Sequence, residues 1–190
     1  SDELVIRGKR GAFNDYEKFI SKFKAAKTTD DCYTPQAIYD AVVDYVFLKG
    51  NLPEDTEIVR PFRPNGDYTN EEYPEGCVVI DNPPFSILSK IVRFYVAIGI
   101  KFFLFAPALT LFSSSSSYCT KVVCGVSVTY ANKAKVSTSF LTNIFGNNAI
   151  ICDNELYRII KEIDDRLTGE QSKELRKINY PDNVVSSALL

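Results

Sequence analysis

An α/β fold is predicted by three neighbouring features. Cys77-Val78-Val79-Ile80 is an apolar run of the kind a fully buried strand shows. A helix-length segment follows from about Ile87 to Ile98, with Ser86 as its expected cap and Gly99 as its stop. Lys101-Phe102-Phe103-Leu104-Phe105-Ala106 is then a second buried strand. Strand, helix and strand make a βαβ unit, so at least two strands run parallel with a right-handed crossover.

The remaining elements are placed around that unit. Phe13, Tyr16, Ile20 and Phe23 form one stripe of an amphipathic helix over 13–26. A polar connector leads to Tyr33-Thr34-Pro35, where Thr34 can cap a helix and Pro35 suits its first position. That helix turns Ile38, Val42, Tyr45 and Val46 inward and stops near Gly50. Ile58-Val59-Arg60-Pro61-Phe62 is a short strand candidate, and 63–76 is loop, broken by Pro64, Asn65, Gly66, Pro74 and Gly76. The serine run 113–117 reads as a loop or linker. Val122 to Tyr130 and Val136 to Phe145 form an antiparallel hairpin joined by Ala131-Asn132-Lys133-Ala134-Lys135, and Ala149-Ile150-Ile151 is a further short strand. Leu156, Ile159, Ile160, Ile163 and Leu167 repeat at helical spacing after Asp153. The apolar residues 184–190 suggest a packed or truncated end.

Composition narrows the chemistry. The 190 residues suit one domain, and 45% hydrophobic with 24% charged residues is an ordinary globular balance. There is no histidine, which excludes a Ser-His-Asp triad, an imidazole base and His-bound zinc. The five cysteines (Cys32, Cys77, Cys119, Cys124 and Cys152) are odd in number and form no CxxC pair, so buried thiols fit better than a disulfide framework or a thiolate zinc cluster. No methionine is present, which points to a removed initiator or a fragment. The N-terminus lacks the pattern of a secretion signal, and no apolar run is long enough to span a bilayer; the expectation is a soluble, cytoplasmic protein.

Net charge is −2, yet 7–27 holds seven basic residues (among them Lys18, Lys22 and Lys24) against Asp15 and Glu17. Seven minus two leaves +5, a patch that either attracts phosphates or is a solvated helix face. Lys133 and Lys135 at the hairpin tip carry the same two readings, nucleic-acid contact or surface solubility.

In an open parallel sheet, ligands sit at the carboxyl ends of the strands, and Asp81-Asn82-Pro83-Pro84-Phe85 occupies that position. Two prolines remove two backbone donors and fix φ twice. What remains is either a tight strand-to-helix turn or a stiff loop presenting acceptors, the Asn82 side-chain carbonyl and the Asn82 and Pro83 backbone carbonyls. Phe85 adds a flat apolar face. Acceptors beside an aromatic plane would grip a planar group bearing an NH2, such as a flipped base.

Asn82-Pro83-Pro84-Phe85 resembles the (D/N/S)PP(Y/F/W) signature of S-adenosylmethionine-dependent amino-methyltransferases, chiefly DNA adenine N6-methyltransferases. Tyr33-Thr34-Pro35 is similar to the segment that packs on the cofactor in those enzymes. The order Val59-Arg60-Pro61-Phe62, then 81–85, then Phe103-Leu104-Phe105-Ala106-Pro107 resembles EcoRI-type and phage-borne adenine methyltransferases, over about residues 28–150. The resemblance implies a Rossmann-like methyltransferase sheet, reduced in size, with an antiparallel C-terminal hairpin and flanking helices. It divides the single domain into a basic helical extension (1–27), a catalytic core (28–150) and a C-terminal helical region (151–190).

It also implies roles. Asp81, Asn82, Pro83, Pro84 and Phe85 would be catalytic, with Asn82 and the Pro83 carbonyl accepting from the adenine amino group and Phe85 stacking on the base. Tyr33, Thr34, Pro35, Pro61, Phe62, Asn65, Gly66, Asp67 and Asp81 would bind S-adenosylmethionine. DNA would be the partner, met by Lys18, Lys22, Lys24, Lys133 and Lys135, in a bacterial or phage-infected cell and without a metal. The family's glycine-rich cofactor loop is represented here only by Pro61-Phe62-Arg63-Pro64-Asn65-Gly66-Asp67. From there to Cys77 the chain is too short for the usual additional strands, so the one ending in a ribose-binding acid is missing or replaced, with Asp67, Glu71 or Glu72 as substitutes. Two further activities stay open: a methyltransferase-like nucleic-acid-binding module without catalysis, and an amino-methyltransferase acting on RNA or a protein glutamine.

Overall fold

The computed structural model describes residues 33–63, 66–112, 119–146 and 149–175. The expected helix over 13–26, Lys18, Lys22, Lys24, Asn65, the serine run and the apolar C-terminus lie outside the described residues.

The described chain is an α/β protein: helix α1 (Gln36–Gly50), strands β1 (Ile58–Val59) and β2 (Val78–Asp81), helix α2 (Leu88–Ala97), strands β3 (Lys101–Pro107), β4 (Thr120–Thr129), β5 (Lys135–Thr142) and β6 (Ile150–Cys152), and helix α3 (Asn154–Leu175). The strands form one mixed sheet in the order β1-β2-β3-β5-β4-β6. β1, β2 and β3 are mutually parallel, β5 is antiparallel to both β3 and β4, and β6 is parallel to β4. Five strands therefore point one way and β5 alone points the other.

Alternation along the strands builds two layers, because successive side chains leave opposite faces. Val78, Ile80, Phe103 and Phe105 pack with Ile38, Val42 and Val46 of α1 and Leu156 and Ile160 of α3. Val79, Phe102, Leu104 and Ala106 pack on the other face with Leu88, Ile91, Val92 and Tyr95 of α2. The central strands are buried on both sides, which is why they read as continuous apolar runs. Phe103 stacks on Phe140 of β5 at 4.8 Å between ring centres, and Phe105 meets the same ring edge-on.

Several boundaries differ from the sequence expectation. Pro35, and not Thr34, takes the N-cap position of α1; its carbonyl accepts from the amides of Ile38 and Tyr39, while the Thr34 hydroxyl makes no capping bond. The helix does end at Gly50, and Asn51 supplies the left-handed residue after it. Ser86 is not the cap of α2: residues Phe85–Ile87 form a 3-10 turn, and the α-helix proper starts at Leu88 with Ile87 before it. β1 is two residues long, shorter than the 58–62 expected, because Pro61 cannot donate to a ladder. Between β1 and β2 the described residues contain no further strand.

The hairpin carries an irregularity that periodicity alone does not reveal. The β4–β5 register shifts between Val122 and Val126, with Gly125 at φ +60°. Ser139 Oγ accepts from the Cys124 and Gly125 amides, so the bulge leaves neither donor unsatisfied.

Candidate functional site at the carboxyl edge of the sheet

Strand direction gathers four loops on one edge. β1, β2, β3 and β4 all end there, followed by residues 60–63, 82–86, the 3-10 turn Ala108–Thr110 and the hairpin tip respectively. Pro107, the last residue of β3, pairs with Thr138. The β4–β5 ladder continues three rows further to Thr129 opposite Lys135. At roughly 3.3 Å per residue the hairpin thus projects about 10 Å beyond the end of β3.

Asp81 organises the centre of this edge. It is 3% exposed, and both carboxylate oxygens are engaged. Oδ2 accepts from the Phe62 amide at 3.0 Å, Oδ1 accepts from the Asn82 amide at 2.9 Å, and Arg60 Nε lies 3.6 Å from Oδ1. Burial pushes the Asp81 carboxyl above the usual carboxylate range, opposed by those two amides and by Arg60. The Arg60 guanidinium in turn lies 3.7 Å above the Tyr39 ring, whose hydroxyl donates to the Ile80 carbonyl at 2.9 Å. Burial raises the Tyr39 hydroxyl to about 12, with Arg60 working against it, so it stays a protonated donor. Arg60 thereby links α1, the loop after β1 and the end of β2. Sequence reading took it only as part of a strand candidate and of the Val59-Arg60-Pro61-Phe62 stretch of the resemblance, with no role of its own.

The segment 82–85 is closed in over part of its length. Pro83 is buried, Asn82, Pro84 and Phe85 are half-buried, and the Asn82 side-chain oxygen is itself buried. Phe85 opens the 3-10 turn that hands the chain to α2.

The described residues among those expected to bind the cofactor fall into two groups, at the start of α1 and in the loop after β1. Tyr33 is 56% exposed, and its carbonyl accepts from the Ala131 amide at 3.0 Å, which fastens the start of α1 to the hairpin tip. Thr34 Oγ1 is buried and has no hydrogen-bond partner among the described residues. Pro61 and Phe62 follow β1, with Phe62 tied to Asp81 as described. Gly66 folds back on this loop: its amide donates to the Arg63 carbonyl at 2.8 Å, and a Cβ there would lie 2.2 Å from the Pro61 carbonyl oxygen. Only glycine fits. Asp67 is exposed and closes a local turn, accepting from the Thr69 amide and hydroxyl and from the Asn70 side chain, which hold its carboxyl below the usual range. Glu71 pairs with Arg63 at 2.8 Å. Gly66 is thus held close against Pro61 and Arg63.

Lys133 and Lys135 are exposed at the hairpin tip, Lys133 in the left-handed region at φ +66°. The tip is held by Tyr130 and Ala134 pairing and by Asn132 Oδ1 accepting from the Ala134 amide. Sequence reading missed Asp164 of α3, which sits within that helix's apolar stripe. It is buried and accepts from the Thr129 amide at 2.7 Å and the Thr129 hydroxyl at 3.1 Å, pinning the outer end of β4 to α3.

A separate cavity of about 490 Å³ lies at the opposite edge, lined by Tyr45, Lys49, Ile144, Phe145, Ile151 and Asp153. Its polar groups serve the fold: Tyr45 donates to Asp153 at 2.8 Å, Asp153 caps α3 through the Leu156 amide, and Lys49 pairs with Glu155. Among the described residues, no group of three or more His, Cys, Asp or Glu side chains could hold a metal ion, and no helix is long and apolar enough to cross a membrane. Comparison with known proteins finds no matching family model, no matching curated protein and no matching solved structure.

Proposed function

We propose that this protein transfers a methyl group from S-adenosylmethionine to the N6 amino group of adenine in DNA. The observation that carries the reading is the meeting of three segments, remote in sequence, on one sheet edge: 33–35 through the hairpin tip, 61–62 through Asp81, and 81–85 itself. Ligands of open α/β sheets bind at that edge.

S-adenosylmethionine, when bound, supplies an electrophilic methyl group on sulfur. Tyr33, Thr34 and Pro35 with Pro61 and Phe62 are the residues that would hold it. The buried Thr34 hydroxyl, without a partner among the described residues, and the exposed Tyr33 ring suit a ligand with both polar and aromatic parts. The Asn82 side-chain carbonyl, once turned outward, and the Pro83 carbonyl accept the two hydrogens of the adenine amino group. That directs the nitrogen lone pair toward the methyl carbon. Phe85 stacks on the base. Asp81 is a positioning residue, fixing the start of the acceptor loop against the loop after β1. The N–C bond would form as the C–S bond breaks, its electron pair returning to sulfur in the S-adenosylhomocysteine that leaves, and the nitrogen would lose a proton to water, so the absence of histidine is no obstacle.

A second reading, a nucleic-acid-binding module without catalysis, draws on the close packing of Gly66 against the Pro61 carbonyl and on the two-residue β1. One experiment separates them. Incubation with genomic DNA and S-adenosylmethionine, then nucleoside mass spectrometry, yields N6-methyladenine on the first reading. DNA binding with no methyl transfer selects the second; methyl transfer to RNA or protein glutamine, and not to DNA, overturns the choice of substrate.

A further inference from the structure

Two large apolar side chains stand exposed where β3 ends. Leu109 is 94% exposed and Phe112 59% exposed. They belong to the 3-10 turn Ala108–Thr110 and its continuation, where Leu111 keeps helical dihedrals and its amide donates to the Ala108 carbonyl. In such a turn, residues three apart lie on one side. Single exposed apolar residues are ordinary, but a paired Leu and Phe on one short turn are costly to leave in water without a purpose.

The turn is rooted beside the acceptor loop. Leu111 is buried in the same cluster as Leu88, the first residue of α2, which starts three residues after Phe85. β3 is also the direct neighbour of β2, with Leu104 opposite Asp81. The exposed pair is therefore carried on the same sheet face and the same edge as residues 82–85. Exposed cations stand on elements that reach the same edge: Lys133 and Lys135 at the hairpin tip, and Lys90 in the first turn of α2. An apolar tip on an edge that also carries cations matches a base stack framed by phosphates.

We propose that Leu109 and Phe112 form a wedge that enters the DNA base stack beside the target adenine and opens the duplex for the acceptor loop. The proposal rests on the methyltransferase reading for its target, but its physical action is measurable without catalysis. Pulling a base out of a duplex costs unstacking and unpairing, which a wedge offsets by filling the gap.

The test uses a linear plasmid several kilobases long, which contains many sequence contexts, and permanganate, which attacks unstacked thymines. The wild-type protein is expected to produce reactive thymines at bound sites. The Leu109→Ser/Phe112→Ser variant should reduce them at least tenfold and lower methyl transfer to duplex DNA at least tenfold, while transfer to heat-denatured plasmid stays within twofold. Leu109→Ser alone, at a side chain in water, should leave the melting temperature unchanged and give part of the effect. Reactive thymines that are absent with the wild-type protein, or equal with the variant, overturn the wedge. Equal loss on duplex and denatured DNA overturns it as well. Variant-sensitive thymine reactivity with no methyl transfer to any DNA leaves the wedge standing and removes the catalytic reading.

Discussion

The amide of Phe62 donates to Asp81 Oδ2 at 3.0 Å, joining residues nineteen positions apart at the carboxyl ends of two neighbouring parallel strands. β1 offers only two residues of ladder, so this bond and the Arg60–Asp81 pair do much of what a longer strand would do. Both loops of the candidate site take their position from one buried carboxylate.

Asp81→Ala should therefore loosen the site before it unfolds the sheet. Hydrogen bonds to a charged group contribute about 1.5–3 kcal/mol each, so a loss of about 2–4 kcal/mol is expected, given that the two amides can regain water at the edge. Urea denaturation measures it. A loss below about 0.5 kcal/mol would show that the carboxylate does not hold the two loops.

The same group sets a pH dependence. Burial raises the folded carboxyl above its unfolded value near 3.9, so the folded state binds its proton more tightly. The resulting stabilisation is fully present below the unfolded value and is lost as pH rises through the folded one. The stability of wild type relative to Asp81→Asn should thus be greater at pH 4 than at pH 7, measured by denaturation at both.

Asn82→Ala removes one acceptor of the amino group and keeps Pro83, Pro84 and Phe85. A lost transition-state hydrogen bond costs on the order of 3–4 kcal/mol, a hundredfold or more in rate. Methyl transfer should fall by that factor with the melting temperature and cofactor affinity kept. Transfer at the parent rate would make residues 82–85 a turn and nothing more.

S-adenosylhomocysteine at 100 times its dissociation constant should stabilise the fold by about 2.7 kcal/mol, or about 5–10 °C for a domain of this size. Thr34→Val, which removes the buried hydroxyl at nearly constant volume, should weaken that shift. No shift at millimolar ligand would exclude the cofactor and leave the non-catalytic reading.

Lys133→Glu/Lys135→Glu should weaken DNA binding and flatten its dependence on salt, by about 0.9 in the log–log slope for each phosphate that is no longer neutralised. An unchanged slope would assign the hairpin tip to solubility alone.

Much of this architecture was readable from local pattern. Val78–Asp81 and Lys101–Pro107 are buried on both faces, so they appear as apolar runs whatever their neighbours, and the Leu156, Ile160 and Leu167 spacing has one reading. The hairpin was legible because its turn and its two β-rich flanks are contiguous. Capping was misread at Thr34 and Ser86, where proline geometry moved each helix start by one residue. Hydrogen bonds between distant segments leave no periodic trace: Phe62 to Asp81, Ala131 to Tyr33, Thr129 to Asp164, and Ser139 to the Gly125 bulge. The sequence by itself determined the α/β class, the core stripes and the place of Asp81-Asn82-Pro83-Pro84-Phe85 at a strand's end, because burial and turn chemistry act over a few residues. Tertiary structure alone decided that 33–35, 61–62, 81–85 and the Leu109–Phe112 tip share one edge, because strand order and direction emerge only when the sheet is assembled.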